Sequence, residues 1–142
     1  MNKTLLTTKK TTEENDLSTH EKAIVKAFET MDCSALEKLL DEDKEYDEKN
    51  KWAFMNGIKN VLEKFRKHGD TRLTAHNGNC NNDDCKVGKN ARGYLFEGNN
   101  SGKRAAFIFD NKKSFLVENI CRCINFNSDD GKECFFLSKE YL

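Results

Sequence analysis

The spacing of the apolar residues changes near residue 70, and this change restricts the chain to few folds. Before Asp70, apolar residues recur every three or four positions, which is the spacing of helices that bury one face. After Asp70 they recur every second position, and clusters of Gly, Asn and Asp separate the segments, as is typical of strands joined by tight turns. Helices followed by a block of strands predict an α+β domain.

Three helices are predicted in the first half. The first begins at Ser18, which has the spacing of a capping box with Glu21. The second begins at Ser34, which repeats that spacing with Glu37. The third covers about residues 51 to 68 and carries a stripe of Phe, Ile, Val and Leu on one side.

The second half predicts an antiparallel sheet. Its connectors are of hairpin length, so consecutive strands should pair with each other in a meander, and the helices should cover one face. The predicted strands lie near residues 71–77, 92–97, 104–110, 114–126 and 134–138.

Length and charge exclude several classes of protein. A chain of 142 residues fits one domain, and we place it at residues 18–142, after a disordered polar tail at residues 1–17. Basic and acidic residues balance at 24 each, which argues against nucleic acid as a partner. No apolar run approaches the ~20 residues that cross a membrane. Leu5-Leu6 is too short for a secretory signal, so we expect a cytoplasmic protein.

The order of these patterns resembles the nuclear transport factor 2-like superfamily, also called cystatin-like or SnoaL-like, and in particular its small bacterial members. The resemblance covers roughly residues 18 to 138. The residues that carry it are Ile24-Ala27-Phe28, Leu36-Leu39-Leu40, Tyr46 before the helix of Phe54 to Phe65, Gly93-Tyr94-Leu95-Phe96, the turn from Gly98 to Gly102, the strand ending in Ile120 to Phe126, and the Cys80 to Cys85 region.

The resemblance implies a curved antiparallel sheet that wraps round the three helices and leaves a cone-shaped pocket. That superfamily includes isomerases, dehydratases, polyketide cyclases and non-catalytic binding modules, so the fold alone does not fix the function. We predict a small-ligand or protein-binding module, with a small pocket enzyme of isomerase, dehydratase or cyclase type as the alternative. The candidate pocket residues are Tyr46, Trp52, His76, Asp110 and Glu118.

Cysteine pairs provide a third hypothesis. Cys80 and Cys85 flank a turn-rich loop, and Cys121 and Cys123 alternate on a strand and so share a face. Four thiolates could bind zinc, although their spacing is irregular for a zinc ribbon. A second interpretation is a disulfide between Cys80 and Cys85. In the third, Cys121, Cys123 and Cys134 are small buried residues of the sheet, and Cys80 and Cys85 are free thiols in a loop. We expect no cofactor, and keep a thiolate zinc or redox site as an alternative.

The predicted strand at 114–126 is partly apolar on both faces. One face should pack on the helices, whereas the other requires a second cover. A second copy of the chain is the simplest cover, so the sequence predicts a homodimer through the outer face of the sheet.

Overall fold

The computed structural model describes residues 19–80, 92–110, 116–123 and 126–129. The α+β class and the antiparallel pairing are confirmed: three helices precede a five-stranded antiparallel sheet. The helices are α1 at residues 19–29, α2 at Cys33–Leu39 and α3 at Lys51–Lys67. The predicted tail at 1–17, the predicted strand at 134–138 and Cys85 lie outside the described residues.

The described residues form seven short strands. They are β1 at Glu45–Tyr46, β2 at Lys49–Asn50, β3 at Leu73–Cys80, β4 at Arg92–Gly98, β5 at Arg104–Asp110, β6 at Asn119–Cys123 and β7 at Phe126–Ser128. Within the described ranges, no helix is long and apolar enough to span a membrane.

Polar side chains fix the helix starts. The Asp32 carboxylate accepts a hydrogen bond from the amide of Ala35 at 3.0 Å, so the cap of α2 lies two residues before the predicted cap Ser34. Asn50 caps α3 in the same way, because its Oδ1 accepts from the amide of Ala53 at 2.8 Å. Gly69 follows α3 with φ of +84°, a conformation that favours glycine.

Strands β1 and β2 form a small hairpin that contacts the sheet at β6. The turn residues Asp47 and Glu48 both have positive φ, as a tight two-residue hairpin turn requires. The amide of Asp47 donates to Asn119 Oδ1 at 2.9 Å, and its carboxylate lies 3.1 Å from an Arg122 nitrogen. These contacts hold the hairpin against the edge of the sheet.

The sheet order is β6-β5-β4-β3-β7, with every neighbouring pair antiparallel. Strands β3 to β6 follow the predicted meander. The single strand predicted at 114–126 is wrong, because β6 pairs with β5 whereas β7 pairs with β3 at the opposite edge. Alternating apolar residues indicate extended backbone, but they do not say which neighbour the backbone pairs with.

This connection requires a strongly curled sheet. The Cα atoms of Cys123 and Phe126 are three residues apart, which limits their separation to about 11 Å. In a flat sheet, four strand spacings would separate β6 from β7 by about 19 Å. The two edges therefore bend toward each other.

The larger of two buried clusters joins the helices to one face of the sheet. Phe28 of α1 stacks on Phe96 of β4, with ring centroids 4.6 Å apart, and lies 5.2 Å from Phe107 of β5. The same cluster includes Leu36 from α2 and Phe54 from α3. Burial of these rings in one cluster stabilises the packing of the helices on the sheet.

The second cluster lies on the opposite face. It takes side chains from all five strands of the sheet, including both edge strands: Cys80, Leu95, Ala106, Ile108, Cys123 and Phe126. Side chains from both edges can meet only if the sheet curls toward this face. These residues are 0–6% exposed in the single chain.

Candidate functional site

A pocket of about 230 Å³ lies between α1 and the helix-facing side of the sheet. Its position follows from the strand register, since Asn77 on β3 pairs with Tyr94 on β4 and both side chains face the same way. Arg92 lies two residues before Tyr94 and shares that face. Among the residues that the structure describes, the pocket is lined by Glu21 from α1, Asn77 from β3, Arg92, Gly93 and Tyr94 from β4, and Phe109 from β5.

Gly93 allows β4 to approach β5 closely beneath the pocket. A Cβ atom at this position would lie 2.2 Å from the carbonyl oxygen of Phe107 and 2.9 Å from the Cα of Ile108. Both obstacles are backbone atoms, which cannot rotate away as the end of a side chain can. Only glycine fits at this position of the pocket floor, where Gly93 is itself buried.

The Tyr94 hydroxyl donates a hydrogen bond to the Glu21 carboxylate at 2.5 Å and is the central polar group of the pocket. Its ring meets Phe109 edge-on, with centroids 5.1 Å apart, which fixes the direction of the phenol. Burial, followed by the hydrogen bond to Glu21 and the charge of that carboxylate, raises the pKa of Tyr94 well above its ordinary value of 10.0. The phenol therefore remains protonated at neutral pH.

A charged pair lies at the pocket wall. An Arg92 guanidinium nitrogen is 3.0 Å from a carboxylate oxygen of Asp129, and both side chains are more than half exposed. The amide of Asp129 donates to the carbonyl of Asn77 at 2.8 Å, which holds the end of β7 beside this wall. An ion pair this exposed contributes little to stability, so Arg92 can exchange Asp129 for a ligand anion.

None of the five predicted pocket residues lines this pocket. Tyr46 is buried in the core, 5.5 Å from the ring of Phe54, and its hydroxyl accepts a hydrogen bond from the amide of Asp41 at 2.9 Å. Burial raises the pKa of Tyr46. Trp52 points away from the core on the first turn of α3 and is 75% exposed.

His76 lies on the opposite face of the sheet from Tyr94 and contacts charged neighbours there. Its Nε2 is 3.1 Å from Oε1 of Glu97, and the same oxygen accepts hydrogen bonds from Nε and Nη2 of Arg104 at 3.1 and 2.7 Å. Arg104 is only 3% exposed. This cluster crosses three strands and neutralises a buried guanidinium, which is a structural role.

The last two predicted residues lie where β5 leads into β6. The carbonyl of Asp110 accepts a hydrogen bond from the amide of Glu118 at 2.7 Å, and the Glu118 carboxylate is 3.8 Å from Lys44 Nζ. Both residues are half-buried. The structure therefore brings the two backbones together, but at a different place from the pocket.

Sequence reasoning missed Glu21 as a functional residue because its spacing from Ser18 had explained it as a helix cap. Its partner Tyr94 is 73 positions away, on the second strand of the sheet. No local pattern links residues so distant. The indication of this pair is a packing contact: Phe28 of α1 stacks on Phe96. Glu21 lies on that helix, and Tyr94 lies on the strand that carries Phe96.

The curl of the sheet brings Cys80 and Cys123 into the same buried cluster. Cys80 and Cys123 are buried in the second cluster, and Cys121 is half-buried on β6. In the described ranges, no group of three or more His, Cys, Asp or Glu residues is arranged to hold a metal ion. The predicted zinc set includes Cys85, which lies outside these ranges, so the zinc hypothesis stays a prediction.

Comparisons with other proteins do not identify the chain. No protein-family model, no curated protein and no solved structure matches it significantly. The resemblance to the nuclear transport factor 2-like superfamily therefore remains a prediction.

Proposed function

We propose that this protein binds a small polar molecule in the pocket at Tyr94. The observation that carries the proposal is the convergence of a carboxylate, a phenol, an amide and a guanidinium on one cavity. Cavities with a few converging polar groups are the usual form of small-molecule sites. At about 230 Å³ this one is smaller than the roughly 300–1,000 Å³ typical of drug-sized ligands, which favours a metabolite of modest size.

The same pocket would occupy the place of the cone-shaped cavity that the superfamily resemblance implies. Its position between α1 and the sheet supports that assignment. The curl of β6 and β7 toward the other face argues against a sheet that wraps the helices completely. We therefore propose a shallow pocket at one end of the helix–sheet interface, and not a deep cone.

Two-dimensional ¹H–¹⁵N NMR of the full chain with a set of small polar fragments tests this proposal. We expect fragment-dependent shifts that centre on the backbone amides of Gly93 and Tyr94. Tyr94→Phe, which keeps the ring contacts and removes the hydroxyl, should weaken these shifts, whereas Trp52→Ala on exposed α3 should leave them unchanged. Fragments that shift only resonances elsewhere, or that shift none, would refute the proposal.

A small pocket enzyme is the second candidate, and the Tyr94–Glu21 hydrogen bond favours it. A carboxylate within hydrogen-bond reach of a protonated phenol is a pair that can accept and donate a proton on one substrate. The two candidates differ in what happens to the bound molecule. A binding protein leaves the ligand's NMR spectrum unchanged over many hours, whereas an enzyme converts it, and Tyr94→Phe slows that conversion.

The homodimer and the cytoplasmic location stay predictions. The predicted dimer would use the outer face of the sheet, of which the second cluster is buried within one chain. Light scattering at working concentration tests this directly, because a mass near 16.4 kDa means a monomer.

A further inference from the structure

The hydrogen-bond acceptors of the pocket side chains match the three N–H donors of a primary ammonium group. Glu21, Tyr94 and Asn77 all line the cavity, and their side chains carry a carboxylate, a hydroxyl and an amide oxygen. A primary ammonium has three N–H donors, and each of these oxygens can accept one of them. The phenol already donates its proton to Glu21, so toward a further group its oxygen can act only as an acceptor.

The opposite charge lies at the wall formed by β4. Arg92 presents a guanidinium, which binds carboxylates through two parallel hydrogen bonds. Its exposed partner Asp129 can yield to a ligand carboxylate at little cost. Phe109 contributes an apolar surface for a short aliphatic chain.

We infer that the ligand is a small zwitterion, a primary amine that also carries a carboxylate. The ammonium binds at Glu21, Tyr94 and Asn77, and the carboxylate binds at Arg92. This inference rests on the proposed function, since it names the chemical class that the same pocket selects. The small volume limits the ligand to the size of an amino acid with a short side chain or a short chain between its two charges.

Titration of the full-length protein with matched probes tests the inference. The probes are glycine, β-alanine and 4-aminobutyrate, which differ in the separation of their charges. The single-charge controls are butylamine and butyrate, butyramide is the neutral control, and 4-(trimethylammonio)butyrate keeps both charges but has no N–H donor. We expect one of the three amino acids to bind at least about tenfold more tightly than all four controls, as charge-assisted hydrogen bonds at both ends require.

Two variants assign the two ends of the ligand. Glu21→Gln should reduce the affinity for the zwitterion about tenfold or more and leave the weak binding of butyrate unchanged. Arg92→Gln should do the reverse, with a similar loss for the zwitterion and unchanged binding of butylamine. The matched controls are Glu63→Gln on α3 and Arg72→Gln before β3, neither of which lines the pocket.

The outcomes separate the inference from the proposal beneath it. If any of the four controls binds as tightly as the amino acids, with shifts at Gly93, the site binds ligands but the chemical class is wrong. If Glu21→Gln and Glu63→Gln have equal effects, the class is also wrong. If no probe and no member of the fragment set shifts the Gly93 resonance, the proposed function itself is refuted.

Discussion

Replacement of Asp70 should destabilise the protein strongly, because this carboxylate joins the end of α3 to the turn between β4 and β5. Asp70 is 2% exposed and accepts three hydrogen bonds. The amides of Asn100 and Ser101 donate to Oδ1 at 2.7 Å each, and the Ser101 hydroxyl donates to Oδ2 at 2.6 Å. Gly98 makes room for this contact, since a Cβ there would lie 2.2 Å from Oδ2.

The size of the effect follows from these three bonds. A hydrogen bond to a charged group contributes roughly 1.5–3 kcal/mol, and three independent bonds would reach several times that. They share one carboxylate, however, and the turn is half-solvated, so water replaces part of what Asp70→Ala removes. We therefore expect a loss of about 3 kcal/mol in the free energy of unfolding, which is a large fraction of the roughly 5–15 kcal/mol typical of a domain.

Urea denaturation followed by far-ultraviolet circular dichroism measures this loss. With a slope of about 1.5–2 kcal/mol per molar, the midpoint should fall by roughly 1.5–2 M urea. Asp43→Ala, which removes an exposed carboxylate in the loop after α2, is the matched control and should change stability by less than about 0.5 kcal/mol. If the two variants unfold at the same urea concentration, Asp70 does not hold the turn as argued.

Three further predictions follow from other contacts. Although burial alone would raise the pKa of Asp70, hydrogen bonds from Ser101 and Asn100 hold that pKa below the ordinary 3.8. The stability that the ionised Asp70 carboxylate contributes is therefore complete above about pH 4–5 and is lost as the pH falls further. Asp70→Asn should accordingly make the free energy of unfolding less dependent on pH in this acid range. His20→Ala should lower the free energy of unfolding, measured by urea denaturation, by about 1–3 kcal/mol. The reason is that Nε2 donates to the carbonyl of Leu39 and Nδ1 accepts from the amide of Val117, both at 2.9 Å. A urea midpoint equal to that of the wild type would contradict this bridging role. Phe28→Ala should cost roughly 3–5 kcal/mol and Trp52→Ala less than about 0.5, and equal melting temperatures for the two would show that the core is wrongly assigned.

Much of the fold could be predicted because its causes are local in the chain. The third helix was predicted within a residue of its ends, since the apolar stripe and the glycine after it act over one or two turns. Strand β5 was predicted with the same bounds that the structure has. The cap of α2 was misplaced by two residues, because Asp32 and Ser34 are both good caps and only the backbone direction chooses between them.

The candidate site could not be predicted in the same way. The pocket depends on the register of β3 against β4, on the approach of α1 to the sheet and on a hydrogen bond across 73 positions. Tyr46 and His76 looked equally suitable from their residue types. Packing placed one in the core and the other on the far side of the sheet.

The sequence by itself determined where the chain is helical and where it is extended, because a helix or strand has to place its apolar residues on one side. Only the tertiary structure decided that the last described strand crosses to the far edge and that Glu21 meets Tyr94. Both features depend on contacts between segments that are distant in the sequence. The free energies of these contacts depend on the packing of the whole core, so no repeating pattern in the sequence predicts them.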